Sequence, residues 1–194
     1  MTRQAPAKVR EVLKNLPTLE TERLILRKMT LDDAKAVFAY ASDPEVTHYV
    51  IWEMHRTIED STAFLELALD KYESGGEPDW GIVYKGGHCL VGTCGFVNWD
   101  VDHTRAEIGY VLHKDYWGRG LMPEAVRAMI GFGFEQMGLN RIEARCIAKN
   151  TASARVMEKA GMTYEGTLRE REFVKGAYRD MKLYSVLRSE YHRR

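Results

Sequence analysis

Hydrophobic and polar positions along the chain switch repeatedly between a two-residue period and a helical period. Short apolar runs rich in β-branched and aromatic residues predict strands, and longer stretches with apolar residues three or four apart predict amphipathic helices. The predicted strands cover residues 23–29, 80–84, 90–99, 106–112 and 141–147, with a final hairpin of 162–173 and 178–187. The predicted helices cover residues 31–41, 58–73, the segment after Gly120, and 150–161.

These elements follow one another without an internal repeat or a low-complexity linker, which predicts a single α/β (α+β) domain. The domain is assigned to residues 19–194, and 194 residues are enough to bury a substantial core. Residues 1–18 are assigned to a polar, helical N-terminal arm. This segment lacks the apolar centre of a signal peptide.

A glycine-rich turn over residues 117–122 leads directly into one of the predicted helices. Gly118 and Gly120 allow unusual dihedrals and a close approach of a ligand, and the first N–H groups of a helix attract a negative group. Pro123 is accepted in a first helical turn, which supports this helix start. The turn predicts a phosphate site, and an ordinary helix start without a ligand is an equally weighted alternative.

Two familiar phosphate loops do not fit this turn. The nucleoside-triphosphate loop requires G-x-x-x-x-G-K followed by Ser or Thr, and the chain has no such stretch. The dinucleotide fingerprint requires a third glycine, where this sequence has Leu121, Met122 and Pro123. The turn lies between two predicted strands, so we expect its anion site at the carboxyl end of a strand, where α/β sheets place ligands.

A second motif occupies residues 150–161, with Asn150 as a capping-type start and Gly161 as a typical helix end. With both motifs, the chain resembles the GNAT superfamily of acyl-CoA-dependent N-acyltransferases, in particular its ribosomal-protein alanine N-acetyltransferase (RimJ/RimL-like) branch. The superfamily's Q/R-x-x-G-x-G/A loop corresponds to residues 117–122, with Trp117 and Met122 as departures, and the branch's N-x-x-S-x-x-x-x-E-K-x-G corresponds to 150–161. The opening strand 19–27 and residues 106–110 match as well.

The resemblance implies a mostly antiparallel mixed sheet, flanked by helices and splayed at its fourth and fifth strands. It also implies acetyl-CoA as cosubstrate. Gly109 interrupts the strand 106–112, and a bulge there is expected to free backbone N–H groups for the thioester oxygen and the pantetheine amides. The implied cofactor-binding residues are Tyr110, Val111, Leu112, Trp117, Gly118, Arg119, Gly120, Leu121, Met122, Asn150 and Arg155. The two arginines are expected at the phosphates, although solvated arginines are the commoner case.

Acyl transfer to an amine requires a neutral nitrogen, a stabilised oxyanion and a proton for the leaving thiolate. By resemblance, Glu107 is the candidate base, acting directly or through a water. The alternative is a surface glutamate paired with Arg105 or Arg145. The two interpretations carry equal weight, because carboxylates on strands are often merely solvated.

Ser153 is, by resemblance, the candidate proton donor to the departing sulfur. Many family members use a tyrosine one turn further along this helix, where this chain has Met157. The alternative for Ser153 is ordinary capping in the first helical turn. Asn150 is grouped with these catalytic candidates because it is expected to bond the pantetheine arm or an ordered water.

The resemblance assigns the walls of the acceptor cleft to residues 44–56 and to the hairpin 165–178. The implied contacts are Tyr49, Trp52, Glu53 and Glu172, each of which is also compatible with a core or surface role. An α-amine has a pKa near ~7.8 and a lysine near ~10.4, so the neutral lysine costs about 3.5 kcal/mol more at pH 7. A single base candidate therefore favours an α-amine acceptor.

Charge, cysteine content and hydropathy bear on whether the chain binds nucleic acid, a metal or a membrane. The chain has 28 Lys+Arg and 28 Asp+Glu, and this zero net charge does not indicate direct nucleic-acid binding. Its three cysteines and six histidines have no metal-ligand spacing, so no metal is assigned and a reducing compartment is expected. No apolar run approaches the length of a membrane span. We expect a cytoplasmic monomer or homodimer without a membrane partner.

The leading functional hypothesis is acetyl-CoA-dependent acetylation of protein or peptide N-termini, with a ribosomal protein as the target that the resemblance implies. The first alternative is the same reaction on a small amine, such as an antibiotic, a polyamine or a toxin-derived aminoacyl nucleotide. The second is a non-catalytic CoA-binding or ribosome-assembly factor. The presence of both Glu107 and Ser153 argues against that second alternative.

Overall fold

A mixed sheet forms the centre of the computed structural model, which describes residues 5–191. Within that range the sheet has eight strands, hydrogen-bonded in the order β1-β2-β3-β4-β5-β6-β8-β7. All neighbouring pairs are antiparallel except β5 with β6. The strands are β1 (Leu19–Glu20), β2 (Leu24–Arg27), β3 (Asp79–Tyr84), β4 (Cys89–Asp100), β5 (Arg105–Leu112), β6 (Arg141–Ile147), β7 (Thr163–Val174) and β8 (Ala177–Leu187). The predicted α/β fold with a mostly antiparallel mixed sheet is confirmed.

Helices and short 3-10 turns connect these strands. The helices are α1 (Pro6–Lys14), α2 (Ala34–Ala41), α3 (Pro44–Thr47), α4 (Ile58–Ser74), α5 (Leu121–Glu135), α6 (Thr151–Ala160) and α7 (Arg188–Tyr191), with 3-10 turns at Leu31–Asp33 and Lys114–Tyr116. Local sequence explains their ends. Thr57 and Asp60 form a capping box before α4, which ends at Gly75 with φ 70°, in the left-handed region.

Side chains of β5 alternate between the two faces of the sheet. Ala106 and Ile108 are buried on the face that carries α5 and α6, which pack against each other. Glu107 lies on the opposite face, where it contacts side chains of β6. We call these surfaces the helical face and the charged face. Every candidate group on β5 is thereby assigned to one side of the sheet.

The bulge lies on β4 and not on β5 at Gly109. The β4–β5 register shifts between Phe96 and Asn98, whereas Gly109 stays in register with Gly95. Val97 is the extra residue, and a Cβ on Gly109 would approach its Cγ1 to 3.0 Å. The expected bulge at Gly109 is therefore wrong. Gly109 instead accommodates the close approach of the Val97 side chain, which is the second reason for a glycine within a strand.

The sheet opens between β5 and β6. The two strands pair in parallel from Arg105–Arg141 to Ile108–Ala144, so the last four residues of β5 have no ladder partner on that side. The splay expected at the fourth and fifth predicted strands therefore lies between β5 and β6 of the structure. The numbers differ by one because the short strand β1 precedes the first predicted strand. The unpaired backbone groups expected from a bulge arise from this splay instead.

A continuous core joins both halves of the sheet. Trp80, Phe96 and Phe132 pack their rings together at its centre, and α1 adds Val9 and Leu13, both fully buried. The division into an arm over 1–18 and a domain over 19–194 stays a prediction, and residues 1–4 and 192–194 lie outside the described part. Within residues 5–191, no helix is both long and apolar enough to span a bilayer.

Candidate active site

The glycine turn has the backbone geometry of an anion site. Gly118 and Gly120 have φ of 75° and 74°, left-handed values that side-chain-bearing residues rarely adopt, and Gly120 is the N-cap of α5. A Cβ on Gly118 would meet no atom within 4 Å, so the space beside the turn is open. Leu121 and Met122 bury their side chains in the core, which leaves their backbone N–H groups at the helix start.

Two polar residues from the N-terminal part of the chain, Thr21 and Arg23, brace this turn through Glu124 of α5. Glu124 accepts hydrogen bonds from Thr21 Oγ1 at 2.6 Å and from Arg23 N and Nε, both at 2.8 Å. Arg23 also donates to the carbonyl oxygens of Arg119 and Gly120 at 2.9 and 3.3 Å. Burial opposes ionisation of Glu124, but these hydrogen bonds outweigh it and lower the pKa of the carboxyl.

The bracing residues were missed by sequence reasoning. Thr21 and Arg23 lie about 100 positions before Glu124, and no local pattern joins them. The sequence offers little signal for this pair, because an acidic residue in the first turn of a helix is favoured by the helix dipole without any partner. In the fold Arg23 pairs with the Glu124 carboxylate.

The side chains of the turn point in different directions. Trp117 is half exposed and donates from Nε1 to Leu112 O at 2.7 Å, which fixes the turn to the end of β5. Arg119 is exposed and stacks over the Tyr116 ring at 5.1 Å. Arg155, on α6, is exposed too. Both arginines are accessible to a phosphate, and their cofactor contacts remain predictions.

Antiparallel register decides which backbone groups of β5 face the splay. His113 N donates to Val91 O at 2.7 Å, so alternation directs the backbone groups of Val111 toward β4 and those of Tyr110 and Leu112 away from it. The Leu112 carbonyl confirms this direction by accepting from Trp117. Of the three predicted contacts on β5, Tyr110 and Leu112 therefore present N–H groups to the opening between β5 and β6.

The start of α6 lies beside that opening on the helical face. Asn150 caps the helix, its Oδ1 accepting from Ser153 N at 3.0 Å. The capping role considered for Ser153 is thus performed by Asn150. The Ser153 hydroxyl instead lies 2.9 Å from the Tyr110 hydroxyl. Met157 is fully buried and offers no hydroxyl, as the sequence indicated.

On the charged face, Glu107 is held by an arginine. Arg145 donates from Nε to Glu107 Oε1 at 2.9 Å and from Nη2 to Oε2 at 2.7 Å, and from Nη1 to Glu172 at 2.5 Å. The hydrogen bonds with Glu107 raise the pKa of the Arg145 guanidinium. The alternative foreseen for Glu107, a pair with Arg145, is the arrangement in the structure. Its role as a base remains a prediction.

A cavity of about 220 Å³ adjoins this ion pair. Its volume is several times the ~30 Å³ that one water occupies in the liquid. Arg105 bonds Asp100 at 3.1 Å and lies 3.7 Å from Glu143, so two further acids face the space. The lining residues are Asn98, Asp100, Arg105, Ala106, Glu107, Glu143, Arg145, Leu168, Arg171 and Leu183. A small polar or charged group fits this surface.

Residues 23–163 match the family described as "Acetyltransferase (GNAT) domain". The chain belongs to the GNAT acetyltransferase family. Among curated proteins, the uncharacterized N-acetyltransferase p20 of Bacillus licheniformis is 39% identical over 176 residues, 91% of this chain and 99% of that protein. The Escherichia coli (strain K12) ribosomal-protein-serine acetyltransferase is 32% identical over 96 residues, which is 50% of this chain and 54% of that protein.

Among solved structures, a GNAT-family acetyltransferase from Bacillus anthracis is 33% identical, with a TM-score of 0.80 over 90% of this chain and 100% of its own. The fold and the family inferred from the two motifs are therefore confirmed. The chain is an N-acetyltransferase that uses acetyl-CoA as its acyl donor.

The GNAT acceptor side is only partly assembled from the predicted residues. The hairpin of β7 and β8 contacts α3, because Lys175 Nζ donates to Thr47 O at 2.6 Å. Tyr49 packs beside Val174, Ile147 and Met181. Trp52 is half-buried near His55, and Glu53 is exposed. None of Tyr49, Trp52, Glu53 and Glu172 lines the cavity, although Glu172 reaches it through Arg145.

Potential metal ligands do not cluster in the described part of this GNAT chain. Across residues 5–191, no group of three or more His, Cys, Asp or Glu side chains is arranged to hold an ion. Cys89, Cys94 and Cys146 are unpaired with one another.

Proposed function

We propose that this enzyme transfers the acetyl group of acetyl-CoA to the N-terminal α-amine of a protein or peptide, in a ternary complex. The observation that carries the choice of acceptor is the engagement of both Glu107 oxygens by Arg145. Because both carboxylate oxygens already accept from Arg145, Glu107 must give up or share one of these hydrogen bonds when it takes a proton. An α-amine suits it better than a lysine, because presenting the neutral lysine at pH 7 costs about 3.5 kcal/mol more.

The cofactor is proposed to lie across the opening between β5 and β6. The pyrophosphate would be held by the backbone N–H groups of residues 118–122, with Arg119 and Arg155 as ionic contacts. The pantetheine amides and the thioester oxygen would bond the free backbone groups of Tyr110 and Leu112 and the Asn150 side chain. The N–H of Val111 faces β4, so Val111 is proposed to contact the cofactor through its other atoms.

The proposed reaction uses both faces of β5. The amine approaches from the charged face and attacks the thioester carbon, while Glu107 accepts its proton directly or through a water. The tetrahedral intermediate collapses as the C–S bond breaks. Ser153 hydrogen-bonds to the departing thiolate from the helical face and supplies its proton, after which solvent reprotonates the serine and takes up the amine proton from Glu107. Glu172, with Tyr49, Trp52 and Glu53, is proposed to shape the acceptor side.

Similarity to the Escherichia coli ribosomal-protein-serine acetyltransferase supports a ribosomal protein as the acceptor. The shared segment is about half of each chain, so this target is a proposal about substrate class. A monomer or homodimer in the cytoplasm, without direct binding to nucleic acid, agrees with the zero net charge and the unpaired cysteines.

A thiol-release assay with matched acceptors tests the proposed function. Peptides that begin with Ala or Ser should support turnover, and the same peptides with blocked N-termini should not, even when they contain lysine. Polyamines and aminoglycosides should be poor acceptors at equal concentration. A clear preference for the small amines would replace the peptide acceptor with a small molecule. Binding of acetyl-CoA without turnover of any acceptor would contradict the proposed catalysis.

A further inference from the structure

The side chain of Tyr110 reaches the start of α6 on the helical face. Its hydroxyl lies 2.9 Å from Ser153 Oγ and 3.1 Å from the Ser153 carbonyl oxygen. The same residue presents its backbone N–H to the opening between β5 and β6. Tyr110 therefore joins the strand beside the opening to the hydroxyl for which we propose a role at the leaving sulfur.

The surroundings of Tyr110 keep its hydroxyl protonated. Burial raises the pKa of Tyr110 above that of an ordinary tyrosine, and the other titratable groups that face it are Cys146 and Tyr184. Burial also raises the pKa of the Cys146 thiol. Near pH 7 all three groups are neutral, so the phenol is available as a hydrogen-bond donor.

Ser153 needs such an orienting partner. A serine in a helix can turn its hydroxyl back to a carbonyl one turn earlier, which would direct the proton away from a ligand. Here the Ser153 hydroxyl is bonded to Tyr110 instead. The phenol has one proton and two acceptors within reach, Ser153 Oγ at 2.9 Å and the Ser153 carbonyl oxygen at 3.1 Å. When that proton is directed to Oγ, the serine proton can point away from Tyr110, and the serine O–H bond is polarised, because linked hydrogen bonds strengthen one another.

We propose that Tyr110 is a positioning residue for Ser153: its phenol donates to Ser153 Oγ and so directs the serine proton toward the sulfur of the departing CoA. This inference rests on the proposed function and extends it from one hydroxyl to a pair. The phenol does not itself touch the thioester. In this proposal the backbone N–H of Tyr110 bonds the cofactor, and its side chain orients Ser153 for the same reaction.

A double-mutant cycle tests the pair with Tyr110→Phe, Ser153→Ala and the double variant. Tyr110→Phe is expected to lower kcat roughly tenfold, less than the ~10²-fold of a direct general acid, with the KM for acetyl-CoA unchanged. The double variant should be no slower than Ser153→Ala, because the phenol acts only through the serine. Tyr191→Phe, which removes a hydroxyl bonded to Glu135 on α5, is the matched control and should keep wild-type kinetics.

Each result bears on the inference separately from the proposed function. Wild-type kcat in Tyr110→Phe, or losses that multiply in the double variant, would overturn the positioning role alone. A raised KM for acetyl-CoA together with a lower melting temperature would assign Tyr110 to fold maintenance, which overturns it too. A wild-type enzyme that releases no CoA from acetyl-CoA, whether amines or only water are present as acceptors, would overturn both proposals.

Discussion

The helical face and the charged face of β5 are built in different ways. On the helical face the candidate cofactor site consists of backbone groups, with two left-handed glycines, a helix start and the strand edge left open by the splay. On the charged face the site consists of long side chains that neutralise one another, with Arg145 between Glu107 and Glu172. The first arrangement is fixed by the backbone, whereas the second depends on side-chain ion pairs, which we expect to rearrange when an acceptor enters.

The comparison implies that the cofactor side tolerates few changes. Gly120→Asp places a Cβ and a carboxylate in the anion site, and we expect it to abolish acetyl-CoA binding. Wild-type protein at a ligand concentration of 100 times Kd should gain about 2.7 kcal/mol of stability, seen as a higher melting temperature. The variant should show no such shift.

Gly176→Asp is the matched control for this loss. Gly176 has φ 77° and lies in the turn between β7 and β8, so the substitution introduces similar backbone strain away from the cofactor turn. Its melting temperature should still rise with acetyl-CoA. An intact shift in Gly120→Asp would show that the phosphates bind elsewhere.

The next largest effect is expected at the leaving group. Ser153→Ala should lower kcat on the order of 10²-fold, with the acetyl-CoA affinity retained and little recovery at high pH, because the missing proton is needed by the thiolate. Steady-state kinetics between pH 6 and 9 measure this. The absence of a pre-steady-state burst of CoA release must first show that chemistry, and not product release, limits turnover. Unchanged rates would leave Ser153 with no catalytic role.

On the charged face, Glu107→Gln should have a smaller, pH-dependent effect. We expect kcat/KM for the acceptor to fall about tenfold at pH 7 while the acetyl-CoA affinity stays unchanged. The loss should shrink above the amine pKa of ~7.8, where the amine is neutral without a base. Glu66→Gln, an exposed change on α4, is the control. A loss that is the same at every pH would make Glu107 an electrostatic or positioning residue.

The smallest effect is expected at the brace of the cofactor turn. Glu124→Gln should raise the KM for acetyl-CoA a few-fold and lower the free energy of unfolding by about 1–3 kcal/mol at pH 7. The pKa of Glu124 is lowered in the fold, so its contribution is complete above the ~4.3 of an unfolded glutamate and is lost as pH falls through the folded value.

Urea unfolding at pH 7 and at acidic pH measures this contribution. The difference between wild type and Glu124→Gln should narrow in acid. Glu20→Gln, which breaks an exposed pair with Lys85, should change little at either pH. A constant difference across pH would show that Glu124 acts through shape and not through its charge.

The same contrast explains what the sequence could predict. The glycine turn, the helix start at α5 and the Asn150 cap are local, and their residues lie within a few positions of one another. Glu107 meets Arg145 across 38 positions, and Glu124 meets Arg23 across 101, so only the folded chain brings them together. The bulge was misplaced from Gly109 because a glycine shows that space is needed, but not which strand carries the extra residue.

The opening between β5 and β6 also bears on aggregation. An unpaired strand edge can recruit a strand from another molecule, and β7 is such an edge at the end of the sheet. The free edges of β5 and β6 are instead recessed, because the two strands are joined through Ile108 and Ala144 at the base of the opening. We expect this closed base to admit a thin linear chain bearing amides more readily than a foreign strand with side chains on both faces. The splay would then expose backbone hydrogen-bonding groups with less risk of intermolecular β-pairing than an edge strand.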